Sequence, residues 1–222
     1  MIHAHQTIEA HGIDEARKRA ASKAERVAID AAWSTLHESD DRILLTSRLC
    51  TTLPHKIADG FDEWQQTDGK HVYLWSPTPD GAGMPYGAKS RMILIHILHY
   101  ALSVQNPKVI CGDTLYSWNT RLHSTSIGGM TYRITFEHGW RVLEANLSLV
   151  NEAGEELENW GRFAEPGKLS SSKLPTEITL HESFFKHLQG SIVPIRYSAL
   201  TLLRNNSSAI DLYIRLSDGL CN

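Results

Sequence analysis

Met84 to Phe163 reads MPYGAKSRMILIHILHYALSVQNPKVICGDTLYSWNTRLHSTSIGGMTYRITFEHGWRVLEANLSLVNEAGEELENWGRF. Its run SRMILIHILHYALSV is too long for a strand and apolar on nearly every side until Asn106-Pro107 stops it, which predicts a buried helix. Lys108 to Cys111, β-branched at its centre and bounded by Pro107 and Gly112, predicts a short strand. Asp113 is placed to cap a helix whose Leu115, Trp118 and Leu122 recur at i, i+3 and i+7. After the turn HSTSIGG, ending at Gly129, the segment TYRITFEHGWRVLEA runs without proline to Asn146 and predicts a third helix, with Gly139 as its weak point. Asn146 to Val150 and Leu157 to Phe163 flank the turn NEAGEE and predict a hairpin.

Helix, short strand, helix, turn, helix, hairpin is the order of a winged helix. The expected fold class is therefore α+β: a winged helix, meaning a helix-turn-helix with a β-hairpin wing, carrying flanking helices. Outward from this core, Asp14 to Leu36 lacks Pro and Gly and is rich in Ala, Arg, Lys and Glu, predicting a helix within an N-terminal helical arm over 1–50. Thr51 to Gly83 alternates short apolar pieces with Pro and Gly, predicting short strands that complete a core over 51–164. A linker is expected over 165–177. The segment 178–222 then forms a strand-and-helix piece, EITLHESFFKHLQG, and one final helix around SALTLLRNNSSAIDLYIRL, packing on the core.

With 222 residues, 41% of them hydrophobic, the chain can bury a core of ordinary domain size. Its formal net charge of -3 excludes a bulk polycation effect on nucleic acid, but patches steer association more than totals do. Met84 to Phe136 carries Lys89, Arg91, Lys108, Arg121 and Arg133 against Asp113 alone, whereas Glu137 to Arg162 holds six acids and two bases. Met92 to Pro107, the longest uncharged stretch of the most apolar region, spans 16 residues and includes His96 and His99, too short and too polar for a membrane span. The N-terminus shows no secretory h-region, so a cytoplasmic location is expected. Cys50, Cys111 and Cys221 are too few and too scattered for a disulfide framework and are read as reduced thiols.

Five strings then occur in an order that resembles the plasmid replication initiator (RepA-type) family. They are Leu53-Pro54-His55, MPYGAKSRMILIHIL from Met84, SIGGMTYR from Ser126, LHESFFKHL from Leu180 and NNSSAIDLY from Asn205. The resemblance covers about residues 50 to 216. It implies a bacterial winged-helix protein that binds plasmid origin repeats and starts replication or represses its own promoter. Such initiators resemble two winged helices in tandem, and this chain ends at Asn222, where the second would begin, so the first domain is expected here with the second absent. Family members carry basic residues where this sequence has Met130 and Phe136, which lowers the charge expected to face DNA.

On a wheel at 100° per residue, Tyr132, Phe136, Trp140 and Leu143 of the third helix share one sector and form one candidate buried face. The resemblance implies instead that Tyr132, Thr135, Gly139 and Val142 face inward. Thr131, Arg133 and Arg141 lie outside the buried sector under either assignment. Arginine suits guanine edges or phosphate and threonine suits phosphate or a thymine methyl, so these three are the leading candidates for DNA contact. The alternative is a helix-surface pair with Glu137 or Glu144. Gly129 can bring the first amides of the helix close to a phosphate, or serve as a plain turn residue. Lys89 and Arg91 open the first helix as phosphate clamps or as a solvated helix start. The acidic hairpin, with Glu152, Glu155, Glu156 and Glu158, is expected to point away from DNA or toward a partner.

No HExxH, GxSxG or GxxxxGK[ST] pattern is present, so no catalytic residue, cofactor or metal is expected and the chain is not read as an enzyme. His3, His5 and His11 suit an exposed tail, and His96 and His99 suit hydrogen-bonded core positions. The expected partners are double-stranded DNA at plasmid origin repeats, a second copy of the chain and host replication proteins, with no membrane. The competing reading is a dimerisation module with little DNA binding of its own, to which Phe136 and Trp140 would contribute.

Overall fold

The computed structural model describes residues 11–22, 26, 29, 43–56, 62–78, 82–112, 114–121, 129–167 and 174–221. In chain order the elements are α1 (Ile13–Arg19), β1 (Ile43–Ser47), a 3-10 turn (Arg48–Thr52), β2 (Trp64–Thr67), β3 (Val72–Ser76), α2 (Gly87–Val104), β4 (Lys108–Ile110), α3 (Leu115–Arg121), α4 (Gly129–Glu144), β5 (Asn146–Val150), β6 (Glu156–Arg162), β7 (Ala164–Pro166), β8 (Glu177–Leu180), α5 (Glu182–Gln189), β9 (Ile192–Arg196), α6 (Tyr197–Leu203) and α7 (Ser207–Cys221). The described residues thus form a mixed α+β fold with seven helices and antiparallel sheets. Among them no helix is long and apolar enough to cross a membrane.

The chain divides into two units. The smaller comprises residues 1–44 and 195–203 and holds α1, whose Ala16 packs with Ile29, Ile13 and Ala20. Of the helix expected from Asp14 to Leu36, only α1 lies within continuously described residues.

The larger unit, residues 45–194 and 204–222, is organised around α2. Ten of its residues from Ser90 to Leu102 are buried because the helix is apolar nearly all round and so finds partners on every side. Gln105 ends it in the left-handed conformation (φ 54°), with its N–H returned to the Ala101 carbonyl, just before the Asn106-Pro107 stop. β4 follows. Thr114 Oγ1 accepts the Ser117 N–H at 3.1 Å and so caps α3, while the expected cap Asp113 lies outside the described residues, as does most of the turn before Gly129.

The hairpin after α4 is present, with Asn146 opposite Arg162 and Val150 opposite Glu156. It does not stand alone as a wing. β5 also pairs with β3, in register from Val72 opposite Val150 to Ser76 opposite Asn146, giving a four-stranded sheet β2-β3-β5-β6. β4 pairs with β8, and β8 with β7, in a separate three-stranded sheet. Ala164 to Pro166, expected in part as linker, is therefore strand; residues 168–173 are outside the described set. The sheet face is sealed by aromatics: Trp75 lies edge-on to Phe163 at 6.2 Å, and Phe163 meets Phe184 of α5 at 5.3 Å.

The single C-terminal helix expected over SALTLLRNNSSAIDLYIRL is two helices. Asn206 breaks it by capping α7, its Oδ1 accepting the Ala209 N–H at 3.1 Å and its carbonyl accepting the Ile210 N–H.

Candidate nucleic-acid interface

α4 buries Thr135, His138, Gly139, Val142 and Leu143. Two of these are polar, and each is buried with a partner. Thr135 Oγ1 donates to Asn119 Oδ1 of α3 at 2.7 Å, and His138 Nδ1 lies 2.9 Å from Ser90 Oγ of α2. Burial holds the His138 imidazole below its usual range; Glu137 pulls it back up, and Arg141 and Lys89 push it further down. Gly139 leaves room for Leu174, whose Cδ2 would stand 3.3 Å from an added Cβ. The helix is thereby fixed to α2 and α3 through side chains that a polarity count would place outside.

Of the two candidate faces, the inward set Tyr132, Thr135, Gly139 and Val142 corresponds to the buried side, with Tyr132 half-buried at its edge. Tyr132, Phe136 and Trp140, grouped by the wheel, are only half-buried, and the Phe136 and Trp140 rings stand edge to face at 6.5 Å. The helix turns outward Arg133, Met130 (66% exposed) and Ile134 (37% exposed), with Gly129 exposed at its first position and open space where a Cβ would be. Thr131 is half-buried in the first turn.

Two expected phosphate or base contacts are corrected. Arg91 is fully buried: its guanidinium donates to Asp211 at 2.6 and 2.8 Å and to the carbonyls of Leu53, Pro54 and Gly87 at 2.5, 3.1 and 3.0 Å. A cation so placed is a structural tie and has no donor left for a ligand. Arg141 keeps only 13% of its side chain exposed, donating to Glu137 Oε1 at 2.9 Å and the Met84 carbonyl at 3.2 Å, and lying over the Tyr86 ring at 5.1 Å. It fastens the loop before α2 onto α4, which is the helix-surface pairing with Glu137 written out in space. Glu144 does the same from the next turn by accepting the Ala82 N–H at 3.0 Å.

Lys89 is half-buried in the first turn of α2, and burial, followed by the charge of Arg204, brings its ammonium down to about 8. It is close enough to α4 for its charge to act on His138. Arg204 was missed from sequence because it sits 115 positions away, in what read as one helix. The hairpin acids are partly spent on their own turn, Glu156 accepting from Ser148 and Asn159, and Glu155 from Asn151.

Residues 84–220, more than half of the chain, match the family model described as plasmid encoded RepA protein. No curated protein and no solved structure matches.

Proposed function

The chain belongs to the family of plasmid-encoded RepA proteins, which indicates a role in initiating plasmid replication, and from that premise we propose that it binds duplex DNA at origin repeats through the outward face of α4. The observation that carries this reading is the division of α4 into a tightly anchored inner face and a free outer one. Thr135 and His138 are bonded to two other helices, while Arg133 and the helix start at Gly129 project to solvent. A rigid helix with one free cation and two apolar side chains suits a groove in which arginine meets guanine or phosphate and Met130 and Ile134 meet thymine methyls. The succession α2, β4, α3, α4, β5 and β6 supports working as a winged helix whose hairpin is braced by β3 and so cannot swing as a free arm. The proposed partners are accordingly duplex DNA and the host's replication proteins, in a DNA-binding and non-catalytic role.

The test is an electrophoretic shift on the origin repeats and on a scrambled duplex at low and high salt. Preferential, salt-sensitive retention of the repeats supports the reading; equal retention of both, or none, contradicts it. A second reading is favoured by one specific observation, the exposure of Met130 and Ile134 one turn apart: this face would then join two copies of the chain. A sedimentation measurement in which Met130→Glu converts a dimer to a monomer would support it.

A further inference from the structure

Sulfur is unevenly placed over the described side chains. Met84, before α2, and Met92, within it, are buried, as are Cys50 and Cys111. Burial also pushes the Cys50 thiol up to about 12, so at neutral pH it keeps its proton and with it the unreactive form. Met130, the second residue of α4, is 66% exposed, and among the described methionines it alone lies at the surface. It stands on the outward face of the helix, with Arg133 exposed three residues on and Ile134, 37% exposed, one turn on. Gly129 beside it is exposed too, and a Cβ there would meet nothing within 4 Å, so solvent reaches this helix start from more than one side.

We propose that Met130 is a redox-modification site: a peroxide converts its thioether to the sulfoxide, and this weakens the duplex contact made by the outer face of α4. The inference rests on the reading of that face as the one that meets DNA. In the step, a lone pair on sulfur attacks one oxygen of hydrogen peroxide and the O–O bond breaks. That oxygen stays on sulfur and the other leaves as water, so the sulfur is oxidised by two electrons and the peroxide is reduced by two. A thioether has no proton to lose. Unlike a thiol it needs no neighbouring cation to activate it, and exposure alone selects Met130 over Met84 and Met92. The product is polar where the thioether was apolar. Against a thymine methyl the new oxygen finds no donor, so its hydration is lost without return. Arg133 keeps its charge, so the loss falls on the apolar contact and leaves the salt dependence as it was. Reduction of the sulfoxide by a dithiol-driven reductase restores the thioether, which makes the change reversible.

The experiment treats the intact chain with hydrogen peroxide, quenches with free methionine and adds dithiothreitol to reverse thiol oxidation. Peptide mass analysis should show Met130 gaining oxygen about tenfold faster than Met84 or Met92 in the folded chain, and no faster in urea. Equal or slower oxidation of Met130 in the folded chain, as a second copy covering it would give, overturns the inference. Affinity for the origin-repeat duplex is then compared before and after treatment. It should fall about fivefold, the low end of what one lost base contact costs, with salt slope and melting temperature unchanged. Methionine sulfoxide reductase should restore it. In Met130→Leu, measured against its own untreated sample, the same treatment should change nothing. An equal fall in Met130→Leu, or no fall in the wild type once Met130 is oxidised, overturns the inference. If oxidation is selective but the untreated chain binds no duplex, the modification site stands and only the α4 reading falls.

Discussion

Replacing Arg91 by methionine should cost more stability than any other single change at a charged residue. The guanidinium makes two short bonds to Asp211 and three to carbonyls, and the side chain is fully buried. Methionine fills most of its volume but leaves the Asp211 side chain, 12% exposed, with His55 Nε2 at 3.6 Å and the charge of Arg215 as its remaining basic company. Removing one member of a buried pair costs about 3–5 kcal/mol. Of the carbonyls, Pro54 keeps the Gly87 N–H, so the loss should lie near the middle of that range, about 4 kcal/mol. That is a large part of a typical domain's stability, about 5–15 kcal/mol.

The sign of the pH dependence follows from Asp211. Burial raises its carboxyl above the usual range, and Arg91 opposes this. An acid whose native pKa is raised favours the folded state at low pH and loses that contribution as pH rises through the native pKa. Without Arg91 the native pKa rises further, so the cost of Arg91→Met should shrink on acidification. The assay is urea unfolding followed by tryptophan fluorescence, for Arg91→Met, Asp211→Leu and the double variant. The double variant should recover most of the loss, with a coupling of several kcal/mol. A loss below about 1 kcal/mol, or no coupling, would refute the view of Arg91 as a structural tie.

Three further outcomes are expected. Arg133→Ala should weaken duplex binding by lowering the salt slope by about 0.9 without loss of stability, whereas Arg141→Ala should lower the melting temperature through loss of its Glu137, Met84 and Tyr86 contacts. Thermal unfolding of Gly112→Ala should show a loss of about 3 kcal/mol, because φ is +110° and the new Cβ would stand 2.6 Å from Ser117 Cβ. For Lys89, whose native pKa of about 8 lies below its ordinary 10.5, the native state sheds a proton that the unfolded chain keeps between those values, so stability should rise with pH across that window. After screening of its exposed part the rise should be about 1–2 kcal/mol, and Lys89→Met should abolish it.

Local patterns carried the elements well. The length and uniform apolarity of Ser90 to Val104 could suit only a buried helix, and NEAGEE between two alternating segments could suit only a hairpin. The face of α4 was legible only through the resemblance. A hydrophobic wheel gives weight to Tyr132, Phe136 and Trp140, but the buried positions are held by Thr135 and His138, whose partners lie on other helices, and by Gly139, which is buried because it is small. The long-range pairings were not legible. β4 meets β8 some 70 residues on, and nothing within the segment distinguishes a strand that completes a wing from one that pairs elsewhere. Arg91 and Lys89 look alike in sequence, two residues apart on one helix start. Their fates differ because Asp211 waits for one, 120 positions away, and Arg204 opposes the other.

The central claim, that the outer face of α4 meets duplex DNA, is tested most directly by amide NMR spectra of the chain with and without an origin-repeat duplex. The account predicts shifts concentrated at Gly129, Met130, Arg133, Ile134 and Glu137, with the hairpin turn from Asn151 to Glu155 unmoved. Shifts confined to that hairpin turn, with α4 silent, would contradict it.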